Sequence, residues 1–433
     1  MIPLPIDEVR GLGVVESSRD EITGVQFDSR RIEPGDLFVA LSGGEPFLAD
    51  ARARGAAATL IPDDGFAALA ALGRAVRQRS AARFVAVTGS MGKTSTKDIL
   101  AALCGGVART VAAERSYNGE IGVPHTLCRL EPDTEVCILE LAMRGPGQIA
   151  ALTELSRPDV GVITTILGVH LEALGSLEAI AAAKAELVAG LPAGGTAIVP
   201  AGMELLEPYL ARDDVHVRRF GAGGAASVVS FEPEDDGSRV TFDLGGRRVE
   251  LRFPFTARHQ AENALAALLA YDSLGLPLDE AQTGAAEVRF SLWRGEELPL
   301  AGGGFLINDC WNANPVSMRA ALAHLASRAA GRRRIAVLGD MAELGAEAPS
   351  LHVEVGRAAA ESGVDALVAI GPLGRGYVDG ADGVPERRWA ATLEEGLAAV
   401  EELVEPGDAV LVKGARAMGL EAVAESLAGA AAS

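Results

Sequence analysis

Short apolar runs and longer segments with helical spacing alternate along most of the chain. Strands are predicted at residues 83–88, 135–141, 160–166 and 196–199, and between them lie segments such as 94–104 and 177–189, whose apolar residues recur at helical intervals. Strands that alternate with helices build a largely parallel sheet covered by helices. The pattern therefore predicts an α/β fold.

The pattern changes along the chain in a way that predicts three domains. Residues 215–253 consist of short β-rich stretches with Gly and Asp-Gly turns, which predict an antiparallel appendage on the central domain. A second alternating series follows a predicted hinge at residues 289–304. We predict a small N-terminal α/β domain at residues 1–80, a central parallel sheet with helices on both faces at 81–296, and a Rossmann-like C-terminal α/β domain at 297–433.

The composition argues against several classes of protein. Of the 433 residues, 39 are Lys or Arg and 59 are Asp or Glu, so the formal net charge is −20. Surfaces that bind nucleic acids or anionic membranes are basic, and this charge disfavours both. The four cysteines are widely spaced, which predicts reduced, buried thiols. The sequence has neither a secretory signal nor an apolar run near the ~18 residues of a membrane span, so we expect a cytoplasmic protein without membrane insertion.

A glycine-rich turn between a predicted strand and a predicted helix carries the clearest chemical signal. The segment VAVTGSMGKT spans residues 85–94, and its spacing is shorter than that of the usual phosphate loop because Val87 stands where a first Gly is expected. Amides at the start of such a helix bind phosphates, a Lys neutralises the terminal phosphate, and a hydroxyl can ligate Mg²⁺. The central domain is therefore predicted to be of the P-loop type, with nucleotide contacts from Gly89, Ser90, Met91, Gly92, Lys93, Thr94 and Ser95.

A carboxylate at the end of a neighbouring strand would complete such a site. Glu140 ends the run CILE, and the carboxyl ends of parallel strands meet at one edge of a sheet. We therefore predict that Glu140 and Thr94 hold Mg²⁺ together.

Motifs along nearly the whole chain resemble the Mur ligases of bacterial peptidoglycan synthesis. The resemblance rests on TGSMGKTST, SYNGEIGVPHTL, ELAMRGPGQIA, HLEALGS, AIAAAKAEL, NALAALLA and INDCWNANPVSMRAAL, which occur in the family's order. It implies an ATP-dependent ligase that phosphorylates a peptide carboxylate and couples the acyl phosphate to an amine. The segments WNANP and RGPGQI favour the member that joins D-alanyl-D-alanine to UDP-N-acetylmuramoyl-tripeptide, and a monomer is the family default.

The resemblance also implies a second Mg²⁺ site. His170 matches a metal-binding histidine of the family, and Lys184 matches a lysine that is carbamylated and so becomes an anionic ligand. Together with the loop in which Asn118 approaches the acyl phosphate, these matches give the predicted catalytic residues: Lys93, Asn118, His170 and Lys184.

Further matches to the family imply residues that contact the nucleotide and residues that contact the substrates. Asn263 is expected at the adenine, Arg294 at the phosphates and Asp309 at the ribose, and Asn312 joins them in a motif in which Trp311 replaces the usual Tyr. The residues expected to face the substrates are Ser29, Arg30, Asn118, Glu120, Arg144, Asn314, Lys413 and Arg416.

Several positions depart from the family pattern, so two other functions stay open. The loop after residue 44 is short, and Ile163-Thr-Thr-Ile166 and Asn118-Gly-Glu120 each lack a usual Asn. The chain could be another Mur-type ligase, either diaminopimelate- or lysine-adding or folylpolyglutamate-like. It could also be an inactive nucleotide-binding homologue.

Overall fold

The N-terminal region of the computed structural model, which describes residues 1–168 and 174–432, forms a small mixed sheet. Its strands are β1 (Leu4–Pro5), β2 (Gly13–Ser17), β3 (Glu21–Ile22), β4 (Gly24–Gln26), β5 (Asp36–Val39) and β6 (Ala58–Pro62), and its helices are α1 (Ile6–Arg10), α2 (Leu48–Ala53) and α3 (Gly65–Arg79). The sheet order is β2-β6-β5-β4, and β1 pairs with β3. Helix α3 begins after Asp64, whose carboxylate accepts the amides of Phe66 and Ala67.

The central region builds a nine-stranded sheet from the described residues. Its order is β15-β14-β13-β12-β11-β10-β7-β9-β8. The strands are β7 (Arg83–Thr88), β8 (Thr110–Ala112), β9 (Val136–Glu140), β10 (Val160–Ile163), β11 (Thr196–Pro200), β12 (His216–Phe220), β13 (Ala226–Glu234), β14 (Gly237–Leu244) and β15 (Arg248–Phe253). The helices are α4 (Lys93–Gly105), α5 (Gly122–Leu127), α6 (Gln148–Ser156), α7 (Leu177–Ala189), α8 (His259–Ser273) and α9 (Ala281–Ala285).

Helices cover both faces of this sheet. One apolar core contains residues of α4, α8 and α9, and the opposite core contains residues of α5, α6 and α7. Leu69, Leu72 and Val76 of α3 belong to the second core, so the N-terminal region packs directly on the central region. The carboxyl ends of β7, β9 and β10 meet at one edge, because Val87 pairs with Glu140 and Thr88 with Ile163.

The C-terminal region forms a separate sheet of order β16-β17-β21-β18-β19-β20. The strands are β16 (Glu296–Pro299), β17 (Phe305–Asp309), β18 (Arg334–Gly339), β19 (Ala366–Ile370), β20 (Glu386–Ala390) and β21 (Ala409–Lys413), and the helices are α10 (Pro315–Arg328), α11 (Ala348–Glu361), α12 (Arg375–Gly380), α13 (Leu393–Leu403) and α14 (Glu421–Ala432). Only the β16–β17 pair is antiparallel among the described pairings of this sheet. The predicted boundary between residues 296 and 297 falls inside β16.

The structure confirms the α/β class with parallel strands, and it corrects one detail. Residues 215–253 do not form a purely antiparallel appendage: β12 runs parallel to β11 and extends the central sheet, and only β13, β14 and β15 pair antiparallel. The 15 residues between β11 and β12 are long enough for a parallel crossover, which the short run HVRRF does not reveal. All four cysteines are free and buried, as predicted. Within the described residues, the helices are too short or too polar to cross a membrane.

Candidate active site

The phosphate loop joins β7 to α4 and requires two glycines. Gly89 and Gly92 have φ angles of +139° and +85°. A Cβ at Gly89 would lie 2.0 Å from Thr164 Oγ1, and one at Gly92 would lie 2.4 Å from Asn263 Oδ1. Any side chain at either position would displace the loop or its neighbour, so both glycines are fixed by the close approach of two other segments.

The segment after β10 holds the loop from the side. Thr164 Oγ1 donates to Met91 O at 2.5 Å, Thr165 Oγ1 accepts from the Met91 amide at 3.1 Å, and the Ser90 amide donates to Thr165 O at 2.8 Å. Ser90 Oγ donates to Leu167 O at 3.0 Å and accepts the Leu167 amide at 2.9 Å. The sequence did not predict this role of the two threonines; the one local signal for it is their position directly after a strand that lies beside β7.

Two lysines lie close to the loop with unusual environments. Lys93 Nζ donates to Gly89 O at 2.7 Å and to Ser90 O at 3.4 Å. Burial lowers the pKa of Lys93, and the nearby Glu140 carboxylate opposes that effect. Lys184, on α7, is 2% exposed, and burial together with the Lys93 ammonium holds its pKa well below the usual range. Burial therefore favours the neutral amine at Lys184.

Glu140 ends β9 beside the loop and keeps one oxygen free. Its side chain is 1% exposed, and Oε1 accepts from Asn118 Nδ2 at 2.8 Å. Oε2 is buried and has no hydrogen-bond partner among the described residues. A buried carboxylate oxygen without a partner is costly, so the site is suited to a cation.

A cleft of about 1340 Å³ lies above this edge, between the central and C-terminal regions. We call Ser90–Thr94, Asn118 and Glu140 the floor of the cleft; Gly89, which was also predicted to contact the nucleotide, does not line it. Most of the predicted residues line the cleft, namely Ser90, Met91, Gly92, Lys93, Thr94, Ser95, Asn118, Glu120, Glu140, Arg144, Asn263, Arg294, Asp309, Asn312, Asn314 and Lys413. The structure thus brings together residues that are up to 323 positions apart in the chain, from Ser90 to Lys413.

The C-terminal side of the cleft, which we call the wall, is Asp309–Asn312 with Lys413. Lys413 Nζ bonds Asp309 Oδ2 at 2.6 Å, Asn312 O at 2.9 Å and Asp309 O at 3.4 Å, and its side chain is 2% exposed. The ammonium therefore has a full set of three acceptors. In this geometry Lys413 holds the segment that carries Asp309, and its predicted contact with substrate stays a prediction.

Arg294 crosses from the linker into the cleft. Its guanidinium lies 5.6 Å from the ring centroid of Trp311, and its Nη2 donates to Ser116 Oγ at 3.4 Å. Burial lowers its pKa, and Glu140, Asp309 and Asp98 oppose this. Trp311 stacks on Trp293 with centroids 5.9 Å apart, a contact that the sequence did not predict.

Two asparagines have structural partners as well as a place in the cleft. Asn263 Nδ2 donates to Gln260 Oε1 at 2.7 Å, while its Oδ1 faces Gly92 and accepts from Thr96 Oγ1 at 3.5 Å. Asn314 caps α10 in a reciprocal pair with Ser317. Helix capping therefore accounts for part of the pattern WNANP, whereas the adenine and substrate contacts stay predictions.

Glu120 and Arg144 line the opposite rim of the cleft with exposed side chains. The Arg144 and Gly145 amides donate to Gln148 Oε1 at 2.6 and 3.1 Å, which fixes the loop after Glu140.

Three predicted substrate residues do not line the cleft. Ser29 is buried beside Asp50, and Arg30 is exposed and pairs with Asp28, whose pKa its guanidinium lowers to about 2. Arg416 lies over the Trp293 ring, 4.5 Å from its centroid, and donates to Glu421 Oε1 at 2.7 Å. His170, the predicted metal ligand, lies outside the described residues.

Comparisons with known proteins agree with this architecture. The Mur ligase middle domain matches residues 87–271, and the domain described as "Mur ligase, glutamate ligase domain" matches residues 293–416. The UDP-N-acetylmuramoyl-tripeptide–D-alanyl-D-alanine ligase of Escherichia coli is 34% identical over 96% of both chains, and that of Mycobacterium bovis is 36% identical over 95% of this chain and 93% of its own.

A crystal structure of MurF from Acinetobacter baumannii covers 99% of both chains with a TM-score of 0.87 and 27% identity. MurF from Thermotoga maritima, solved with ADP, covers 94% of this chain and 97% of its own with a TM-score of 0.79 and 24% identity.

The largely parallel central sheet with its phosphate loop, facing a second α/β unit across a cleft, is the architecture of a multi-domain ligase of the P-loop type. The chain belongs to the Mur ligase family, among its UDP-N-acetylmuramoyl-tripeptide–D-alanyl-D-alanine ligases, since relatives of that activity align over nearly its whole length.

Proposed function

We propose that the protein uses ATP to join D-alanyl-D-alanine to UDP-N-acetylmuramoyl-tripeptide in peptidoglycan precursor synthesis. The observation that carries this proposal is the near full-length similarity to ligases of that activity, at 28–36% identity. The cleft supports the proposal independently, because the phosphate loop, the buried carboxylate of Glu140 and the guanidinium of Arg294 all line it. We further propose that the enzyme acts in the cytoplasm and as a monomer.

The floor of the cleft is built to bind the phosphates of ATP. Among the described residues, Lys93 Nζ donates hydrogen bonds only to neutral carbonyl oxygens of its own loop, and a phosphate oxygen is a stronger, charged acceptor. The amides at the start of α4 add donors that favour an anion. Arg294 approaches the same region from the linker, so Lys93 and Arg294 neutralise phosphate charge from two sides.

The residues present also fit Mg²⁺. The free Oε2 of Glu140 offers an anionic ligand, and Thr94 stands at the position of the usual hydroxyl ligand. No cluster of three or more His, Cys, Asp or Glu occurs in the described part of the chain, so phosphate oxygens and water would complete the coordination. When bound, Mg²⁺ supplies charge neutralisation for phosphoryl transfer.

Lys184 fits the carbamate that the resemblance implies. A neutral amine reacts with CO₂ to form an N–C bond with loss of one proton, which leaves a carboxylate in place of a cation. Burial lowers the pKa of Lys184 and so favours the reactive form, and a carboxylate there would also relieve the repulsion from Lys93. We propose that this carbamate and His170 are ligands of a second Mg²⁺, separate from the one at Glu140 and Thr94.

Chemistry in this site depends mainly on positioning. Phosphoryl transfer from ATP to the tripeptide carboxylate needs the two reactants in line and their charges neutralised. Asn118 is fixed by Glu140 at one side, which places its loop beside the phosphate loop. The amine of D-alanyl-D-alanine then attacks the acyl phosphate, and phosphate leaves as the amide forms.

Release of ADP with a panel of substrates tests the proposed function. We expect ADP release only when UDP-N-acetylmuramoyl-tripeptide and D-alanyl-D-alanine are both present. Release with diaminopimelate, lysine or glutamate as acceptor would identify another Mur-type ligase instead. Nucleotide binding without ADP release for any acceptor would identify an inactive homologue.

A separate experiment tests the carbamate. Lys184→Ala should abolish turnover, and a small carboxylate added to the buffer should restore part of it. Labelled bicarbonate should give a carbamate NMR signal in the wild type that is missing from Lys184→Ala. Full turnover of Lys184→Ala without added carboxylate would contradict a role for the carbamate.

A further inference from the structure

We infer that Lys97 and Asp98, on the first turns of α4, are positioning residues that fix the substrate-side loop and the interdomain linker to the phosphate loop. The inference deepens the proposed function and rests on it. Neither residue lines the cleft, and neither is part of the phosphate-binding motif.

The Lys97 side chain binds the segment that precedes Asn118. Its side chain is 2% exposed, and Nζ donates to Ala113 O at 2.8 Å and Arg115 O at 3.0 Å and pairs with Asp98 Oδ1 at 2.8 Å. Two hydrogen bonds and one ion pair thus hold the buried ammonium within the protein. Lys97 does not line the cleft, so it acts through the residues that it holds.

The segment held by Lys97 needs an external restraint. Arg115 has a φ angle of +49°, in the left-handed region that residues with a side chain seldom adopt. The next residue, Ser116, accepts from Arg294 Nη2, and Asn118 reaches Glu140 two residues further on. A shift of this segment would therefore move Asn118 and Arg294 relative to the phosphate loop.

Asp98 fixes the other element. Its Oδ2 accepts the Ser291 amide at 2.8 Å, and Oδ1 accepts Ser291 Oγ at 3.2 Å. Ser291 lies in the linker three residues before Arg294. The Lys97–Asp98 pair thus joins α4 to the segment 113–118 and to the linker at Ser291. The first carries Asn118 and the second carries Arg294, and both of these residues line the cleft.

Lys97→Met tests the first contact by removing the charge and the donors at similar length. We expect kcat for ADP release to fall ~10²-fold, the cost of a displacement near 1 Å, while KM for ATP changes less than ~3-fold. Hydrogen exchange of residues 113–118 should accelerate. Lys97→Arg, which keeps charge and donors, should recover most of the loss, and Arg319→Met, which removes an exposed pair with Glu354, should leave kcat unchanged.

Asp98→Asn tests the second contact with an isosteric change. We expect a lower kcat and faster exchange of residues 288–294, again with KM for ATP nearly unchanged. Rates are expressed per nucleotide-binding site, so loss of folded protein does not count as loss of kcat. A merely structural role would lower the amount of folded enzyme and leave this kcat intact.

The proposal is overturned if folded Lys97→Met keeps the wild-type kcat, or if Asp98→Asn does. Should Lys97→Met fail to fold, Asp98→Asn and exchange in the wild type decide the matter. Amides of residues 113–118 that exchange as fast as an open loop in the wild type would also overturn it. These exchange measurements need no substrate, and every kcat uses the acceptor that works for the wild type, so an error in the proposed substrates is detected separately.

Discussion

The floor and the wall of the cleft both contain buried charged side chains, but the partners of these charges differ. On the floor, the described hydrogen bonds of Lys93 go only to neutral carbonyls, and Glu140 keeps a buried oxygen without a described partner. On the wall, Lys413 and Asp309 neutralise each other at 2.6 Å, and the remaining donors of Lys413 are also used. A charge without a charged partner can bind a ligand of opposite sign, whereas a paired charge mainly holds the shape of the protein. From this difference we propose that the floor carries the chemistry and that the wall positions the nucleotide.

Substitution of Glu140 should have the largest effect. Glu140→Gln keeps the shape but removes the anionic oxygen that faces the phosphate loop, so we expect kcat for ADP release to fall ~10³-fold at saturating ATP and Mg²⁺. Glu354→Gln, on the surface of the C-terminal region, is the matched control and should be neutral. A loss below about tenfold for Glu140→Gln would remove the basis for treating the floor as the chemical side.

Substitution of Lys413 should act mainly on stability and nucleotide binding. Lys413→Met leaves the Asp309 carboxylate without its cation, so we expect the free energy of unfolding to fall by about 3 kcal/mol. KM for ATP should rise ~10-fold with a smaller change in kcat, because the wall positions the nucleotide. Thermal unfolding and steady-state kinetics measure the two effects.

The double variant Asp309→Asn/Lys413→Met is the control for this wall prediction. It removes both charges and should be more stable than Lys413→Met alone, since no unpaired charge is left. If Lys413→Met were as stable as the wild type, the Lys413–Asp309 ion pair would contribute nothing to the free energy of unfolding. The contrast between unpaired charges on the floor and paired charges on the wall would then have no energetic basis.

The sequence predicted the parts of this architecture that are encoded locally. The alternation of strands and helices, the phosphate loop and Glu140 at the end of β9 each depend on short segments with a recognisable pattern. The contacts of Thr164 and Thr165 with Met91, and of Lys413 with Asp309, join segments 73 to 104 residues apart. Such contacts depend on strand register and on the packing of whole domains, which no local pattern contains. The surroundings of Arg416 illustrate the limit, because Trp293, whose ring lies under its guanidinium, precedes it by more than 120 residues, and its contact with substrate stays a prediction.

His125 tests whether a buried polar side chain without a hydrogen-bond partner always marks a functional site. Both ring nitrogens are buried without hydrogen-bond partners in the described structure, and the ring lies edge-on to Phe27 and Tyr117. Burial, followed by Arg129 and Arg31, lowers the pKa of His125 to about 4, with Glu114 opposing. His125 does not line the cleft, so we expect His125→Leu to leave kcat unchanged and to raise the free energy of unfolding by about 1–2 kcal/mol.

The pH dependence of stability gives a second measure of the same residue. Between pH 4 and the usual histidine pKa of 6.5, the unfolded chain binds the proton that the folded chain excludes, so stability rises with pH across this window. His125→Leu should flatten that rise. His352→Leu is the matched control: Nε2 of His352 accepts the Met341 amide and Nδ1 donates to Ala348 O, so its loss should destabilise. Destabilisation by His125→Leu would mean that the imidazole has a partner after all.

Arg30 should give the smallest effect, because it is exposed and already paired with Asp28 outside the cleft. If the resemblance is right about its contact with the UDP-sugar peptide, Arg30→Ala should raise KM for that substrate ~5-fold, since an exposed ion pair contributes at most about 1 kcal/mol. KM for ATP should not change, because Arg30 lies outside the cleft in which we propose that the nucleotide binds. Arg10→Ala removes a similar exposed arginine that pairs with Asp7 in the same region. Equal KM values for the two variants would make the predicted contact of Arg30 wrong and would confine substrate recognition to residues that line the cleft.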